Sequence, residues 1–228
     1  MKQTGKIEDL APGESIYSVR FMGKKGYVVT FKKVDPLFVL DLNPTNPKVL
    51  GKLKIPGYSD YLHPYDENHL IGIGKEAVEA SDDLKTGRQL DFAWYQGIKM
   101  AIFDVSDVNN PKELHKVVIG DRGTNSEALH NHKAFLFDKK KNLLVLPILL
   151  AEIKGEKAKA NQYGEYVYQG AYVYDLTLKN GFKLKGKVTH YDDDQAFKKS
   201  GYYFRGDYSV KRSLYIDDNL YTLSDSRL

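Results

Sequence analysis

"PLFVLDLNPTNPKVLGKLKI", residues 36–55, decides the fold once it is laid beside "KMAIFDVSDVNNPKELHKVVI", residues 99–119. Both run as an apolar strand, an Asp, a polar turn with Asn-Pro-Lys, and a second strand. Asp41 aligns with Asp104, Asn46 with Asn110 and Pro47 with Pro111. A third copy, "GAYVYDLTLKNGFKLKGKV" at 170–188, keeps Asp175 and turns at Asn180-Gly181. Short β-branched and aromatic runs bounded by Asn, Pro, Gly and Asp are strands joined by tight turns.

A second pattern alternates with the first. "YLHPYDENHLIGIG", "AFLFDKKKNLLVLPI" and "SLYIDDNLYTLSD" each read as strand, Asp-rich turn with an Asn, and strand, with Asn68, Asn142 and Asn219 at the turns. "VRFMGKKGYVVTF" is a glycine version. Ser18, Ser59, Ser126 and Ser209 introduce the four copies. Joined together, one unit is a four-stranded antiparallel meander, and the chain carries units at about 15–57, 58–124, 125–207 and 208–228. Repeated meanders that bury their faces against one another describe a β-propeller. The fold class expected is therefore all-β, a propeller or propeller segment of four-stranded blades, over a single domain of residues 1–228. A plain sandwich or barrel is the competing all-β reading, but it does not require a four-part sequence repeat.

The bulk numbers agree. The 228 residues suffice for one sizeable core. The 17 tyrosines and 10 phenylalanines favour pleated, half-buried surfaces over helices. With 34 basic against 30 acidic residues and no arginine block, specific nucleic-acid binding is not expected. The absence of cysteine removes disulfides and thiolate chemistry. No signal peptide or 18-residue apolar stretch is present, so no transmembrane segment is expected. The best helical candidates, residues 75–87 and 192–200, read as loop excursions.

Residues 16–74, "GIKMAIFDVSDVNNPKEL" (97–114) and "SEALHNHKAFLFDKKKNLLVLPI" (126–148) resemble the C-terminal β-propeller domain of a family of predicted secreted bacterial and archaeal proteins, distantly similar to WD40-type propellers. The resemblance covers nearly the whole chain. It implies an extracytoplasmic parent protein and no known catalytic residues. Members of the family are longer, and "MKQTGKIEDLAPGE" reads as the tail of a preceding blade. Alternatively, residues 1–10 supply an outer strand to the last, two-stranded unit.

Among single residues, His130 and His132 are the sharpest lead. On a strand, positions i and i+2 share a face, so both imidazoles would reach one metal with His63, Glu127 or Asp121 as third ligand. The preferred reading is structural: the third unit is longer than its counterparts between Ser126 and Leu143, and "EALHNH" fills the insertion. An H-N-H nuclease needs a following helix, which is not expected. Asp41, Asp104 and Asp175 recur in every unit and read as turn acceptors, not catalytic carboxylates. Asp192, Asp193 and Asp194 lack calcium-loop spacing and read as a solvated loop. "GDRGT", residues 120–124, lacks the Lys-Ser/Thr and helix of a phosphate loop. Trp94 and Tyr95 end a long loop starting near Lys75, and exposed aromatics there suit a protein or carbohydrate ligand.

The sequence thus points to a non-enzymatic binding or scaffold module, with Arg20, His63, Trp94, Tyr95, His130, His132, Lys211 and Arg212 as candidate ligand-binding residues and no cofactor. The alternative is a metal-dependent hydrolase or lyase built on His130, His132 and Glu127.

Overall fold

The computed structural model describes residues 2–32, 35–80, 92–156, 159–198, 200 and 204–228. Three sheets are sequential four-stranded antiparallel meanders and a fourth is a hairpin. The first comprises β1 (Ser15–Met22), β2 (Lys25–Phe31), β3 (Asp35–Asp41) and β4 (Lys48–Ile55). The second comprises β5 (Tyr58–Asp66), β6 (His69–Glu79), β7 (Ala93–Asp104) and β8 (Lys112–Ile119). The third comprises β9 (Leu136–Asp138), β10 (Leu143–Glu152), β11 (Glu165–Thr177) and β12 (Gly181–Val188), and the hairpin is β13 (Arg212–Ile216) with β14 (Asn219–Leu223). The all-β blade architecture expected from the repeats is the observed one.

The repeated Asp and turn residues meet in one recurring bond. The residue after each Asp donates its N–H to the carbonyl of the first-hairpin turn: Leu42 to Lys24 at 2.9 Å, Val105 to Asn68 at 2.8 Å, and Leu176 to Asn142 at 2.8 Å. The aspartates at the ends of β3 and β7 cap the turns that leave those strands. Asp41 Oδ1 accepts from Asn43 N at 3.1 Å, and Asp104 Oδ1 accepts from Ser106 N at 2.9 Å and Ser106 Oγ at 2.6 Å. The Ser106 hydroxyl and amide hold the Asp104 carboxyl below the usual range. Asp175 lies inside β11, opposite Leu143 and Lys183.

The chain divides into two compact units: residues 1–95 with 99–116, and residues 96–98 with 117–228. In the first unit, Tyr27, Val29 and Phe31 on one face of β2, with Leu37 and Val39 of β3, pack against Leu62, Leu70, Ala101 and Phe103 of the second sheet. The opposite face carries Val28, Phe38 and Leu40, covered by Ile7, Leu10 and Ala11. Side chains alternate along a strand, so β2 serves both faces at once. Residues 2–14 contain no strand, and β13 and β14 form a two-stranded sheet among the described residues. In the second unit, Val145, Ala171 and Val210 form one buried cluster with Leu136, Leu143, Val173 and Leu220 beside them.

Two segments depart from the loop reading. Residues 75–79 continue β6, and the hairpin extends to a bond from Ala80 N to Phe92 O at 3.0 Å, while residues 81–91 lie outside the described residues. Within 192–200 a single turn, α1 (Gln195–Lys198), forms where Asp193 Oδ1 accepts from Gln195 N at 2.9 Å.

Gly74 shows how closely β5 and β6 approach: a Cβ there would lie 1.8 Å from the Tyr58 carbonyl oxygen. The backbone must shift to admit it, so Gly74→Ala is expected to cost about 1–3 kcal/mol. Urea denaturation of the variant against the parent checks this.

Candidate ligand-binding cavity

The third sheet is built around a proline inside a strand. Pro147 pairs with Ala171 on one side of β10, whereas β9 on the other side reaches only Val145. The Pro147 carbonyl accepts from Ser126 Oγ at 2.5 Å. In a strand the N and O of one residue face the same edge, so the donor that proline lacks would have pointed away from β11, and no ladder bond is lost.

Beyond β9 this edge is closed by residues 125–135. Asn125 exchanges two backbone bonds with Leu149, both at 2.8 Å. Ser126 Oγ also accepts from Ala128 N at 3.2 Å, capping a 3₁₀ turn at Glu127–Leu129, and Asn131 caps a second at His132–Ala134. The loop therefore folds into two short turns instead of a strand. His130 follows the first turn and His132 opens the second. The alternation that would have put both imidazoles on one face does not apply, which corrects the strand-based premise of the metal reading. Among the described residues no group of three or more His, Asp or Glu side chains is placed to hold a metal ion.

A second wall comes from residues 204–211. The buried Gln169 side chain on β11 donates Nε2–H to Val210 O at 3.0 Å and accepts from Val210 N at 2.8 Å. Ser209 Oγ bonds Tyr191 OH at 3.0 Å. The Phe204 ring is held among Tyr191, Phe197 and Tyr166, with centroids 5.6, 5.0 and 6.2 Å away. Next to Tyr191, His190 bonds β14 and the segment after it, through Thr222 Oγ1 at 2.8 Å and Ser224 Oγ at 2.9 Å. Burial and the nearby Arg227 hold the His190 imidazole below its usual range.

Between the walls lies a cavity of about 430 Å³, in the range of small-molecule sites. Pro147, Leu149, Val210 and Phe204 are its apolar lining residues. Glu127, Arg205, Asp207, Lys211 and Asp225 line it with charge, and His130 lines it beside them. Lys211 Nζ bonds Asp225 Oδ2 at 2.5 Å. The side chains of His130, Arg205 and Asp207 hold no hydrogen bond or ion pair among the described residues.

The structure distributes the sequence candidates over both units. His130 and Lys211 line this cavity together, with Glu127. Arg212 is an exposed residue of β13, and His132 is exposed. In the first unit, Arg20 Nε donates to Leu62 O at 2.8 Å and its guanidinium lies 5.4 Å from the Tyr61 ring centre. His63 Nδ1 bonds Tyr61 OH at 3.0 Å. Tyr95 joins Tyr17, Phe31 and Tyr58 in an aromatic cluster, its OH 3.1 Å from that of Tyr17. Trp94, on the opposite face of β7, meets Phe92 edge-on at 4.8 Å. Sequence reasoning misses Gln169, Phe204, Arg205, Asp207 and Asp225. Gln169, an amide in the middle of the largely aromatic and apolar run Tyr166–Tyr174, is the readable signal, because a buried polar group needs a partner.

A β-propeller domain family matches residues 1–228. The chain belongs to that family. Two archaeal relatives are uncharacterized proteins. One, from Methanocaldococcus jannaschii, is 39% identical over 98% of this chain and 27% of its own length. The other, from Archaeoglobus fulgidus, is 37% identical over 74% of this chain and 26% of its own length. The β-propeller chain described here thus spans about a quarter of each relative. Among solved structures, a Synechocystis apocarotenoid oxygenase variant aligns over 80% of this chain and 41% of its own, at 9% identity and a TM-score of 0.42.

Two outcomes are expected. Ser126→Ala strands the Pro147 carbonyl and uncaps the first 3₁₀ turn, lowering stability by about 1–3 kcal/mol in denaturant titration. Burial, then the Arg20 charge, lowers His63 from 6.5 to about 4. The unfolded chain therefore takes up this proton first. The stability held by neutral His63 is complete above about pH 6.5 and is lost as pH falls towards 4. The denaturation midpoint should consequently fall more steeply over that window in the parent than in His63→Gln.

Proposed function

We propose that this β-propeller segment is a non-enzymatic binding module of a longer, exported, distantly WD40-like protein, and that it takes a small ligand in the cavity of its second unit. The observation that carries the reading is the division of labour in that cavity. Its buried polar side chains, Ser126 and Gln169, are bonded to backbone, and the Asn125 backbone pairs with Leu149, which makes a preformed frame. The charged side chains at its mouth retain hydrogen-bonding capacity. Preformed pockets with a few convergent polar groups are the usual form of a ligand site. The reading of export rests on the resemblance to secreted proteins, and that of a longer parent on the greater length of both archaeal relatives.

The test is a fragment library of small polar compounds screened by ligand-observed NMR. Hits on the parent protein should lose their signal in the Lys211→Ala, His130→Ala double variant. Its thermal midpoint should stay within about 4 °C, since an exposed ion pair contributes at most about 1 kcal/mol. Hits that bind the double variant equally well would remove the cavity from consideration.

A further inference from the structure

We infer that the ligand of this cavity is a neutral saccharide, an inference that rests on the cavity being the binding site. Charge is the first argument. Three carboxylates (Glu127, Asp207 and Asp225) and two strong cations (Arg205 and Lys211) line the cavity together with His130. Lys211 and Asp225 already neutralise one another. A strongly anionic ligand would meet Glu127 and Asp207, and a strongly cationic one would meet Arg205. A neutral ligand rich in both donors and acceptors meets neither penalty, because hydroxyls give protons to Asp207 and Glu127 and accept them from Arg205.

The apolar surface is the second argument. The cavity is lined by Leu149, Val210 and one aromatic residue, Phe204, whose ring is fixed by contacts to three other rings. A pyranose is amphipathic in the matching way: its axial C–H bonds form an apolar face and its hydroxyls project from the rim. Phe204 takes the C–H face while Arg205 and Asp207, one and three residues further on, reach the hydroxyls. The volume of about 430 Å³ holds one or two such rings.

The third argument separates a sugar from an extended peptide. Peptides bind sheets by adding to a free strand edge, where main-chain bonds supply affinity. The β10 edge that faces this cavity is not free. Asn125 occupies both backbone groups of Leu149, Ser126 occupies the Pro147 carbonyl, and proline has no N–H to offer. The frame therefore leaves recognition to side chains, as a saccharide requires.

Saturation-transfer NMR on the whole 228-residue chain tests this with two probe sets. One comprises methyl glycosides of glucose, galactose, mannose and N-acetylglucosamine with their β-linked disaccharides. The other comprises acetylated, amidated tetrapeptides. At least one saccharide should show transfer to its ring C–H protons. Its affinity should fall about tenfold or more in Arg205→Ala and in Asp207→Asn, the loss of one charge-assisted hydrogen bond. Phe204→Leu should weaken the ring-proton transfer, with circular dichroism and thermal midpoint reporting that each variant is folded. If peptides bind and saccharides do not, and the same variants abolish peptide binding, the saccharide class is overturned while the cavity stands as the binding site. If neither set binds, or binding ignores all three variants, both readings fall.

Discussion

The bond from the residue after the third strand back to the carbonyl of the first turn is the constraint on which each blade depends. Leu42, Val105 and Leu176 make it to Lys24, Asn68 and Asn142. It locks the end of the third strand against the first hairpin, so the meander cannot slide. A slip of one residue would carry every side chain to the wrong face. With register held, the odd positions of β2 face the second sheet and the even positions face the leading segment. The same bond explains the repeated chemistry around it: an Asp that caps the chain as it leaves β3 or β7, and a turn residue whose carbonyl is left available.

Where the repeat is broken, the second unit gains its cavity. β9 keeps only three residues, and Pro147 keeps the edge of β10 opposite β11 from continuing an ordinary ladder. The chain compensates with side-chain and loop bonds from Asn125 and Ser126, which satisfy the edge without covering it with a full strand. The space so left is bounded by residues 204–211, held by the Gln169 amide. A deviation from the blade pattern, stabilised by buried polar bonds, is the kind of local irregularity that functional sites display.

Much of the fold is legible in the sequence because strands and turns are written in local chemistry. Period-two alternation, Asn and Gly at turns, and Asp after strand three each require only neighbouring residues, and three copies make the pattern hard to mistake. Residues 75–79 read as loop because Lys, Glu and Ala weaken a strand signal, yet continuation of the hairpin towards the Ala80–Phe92 bond overrides propensity. His130 and His132 mislead for a related reason. Their spacing has metal-binding meaning only on a strand, and caps by Ser126 and Asn131 turn the backbone into two 3₁₀ turns.

The sequence by itself determined the all-β blade architecture, the hairpin turns and the position of the irregular third unit, since each comes from local preferences repeated along the chain. Only the tertiary structure decided which residues share a site. Glu127, Gln169, Arg205 and Asp225 come from four separate segments, and a cavity forms where those segments converge. No local signal encodes that convergence, because it depends on long-range packing of β10 and β11 against the segment leading into β13.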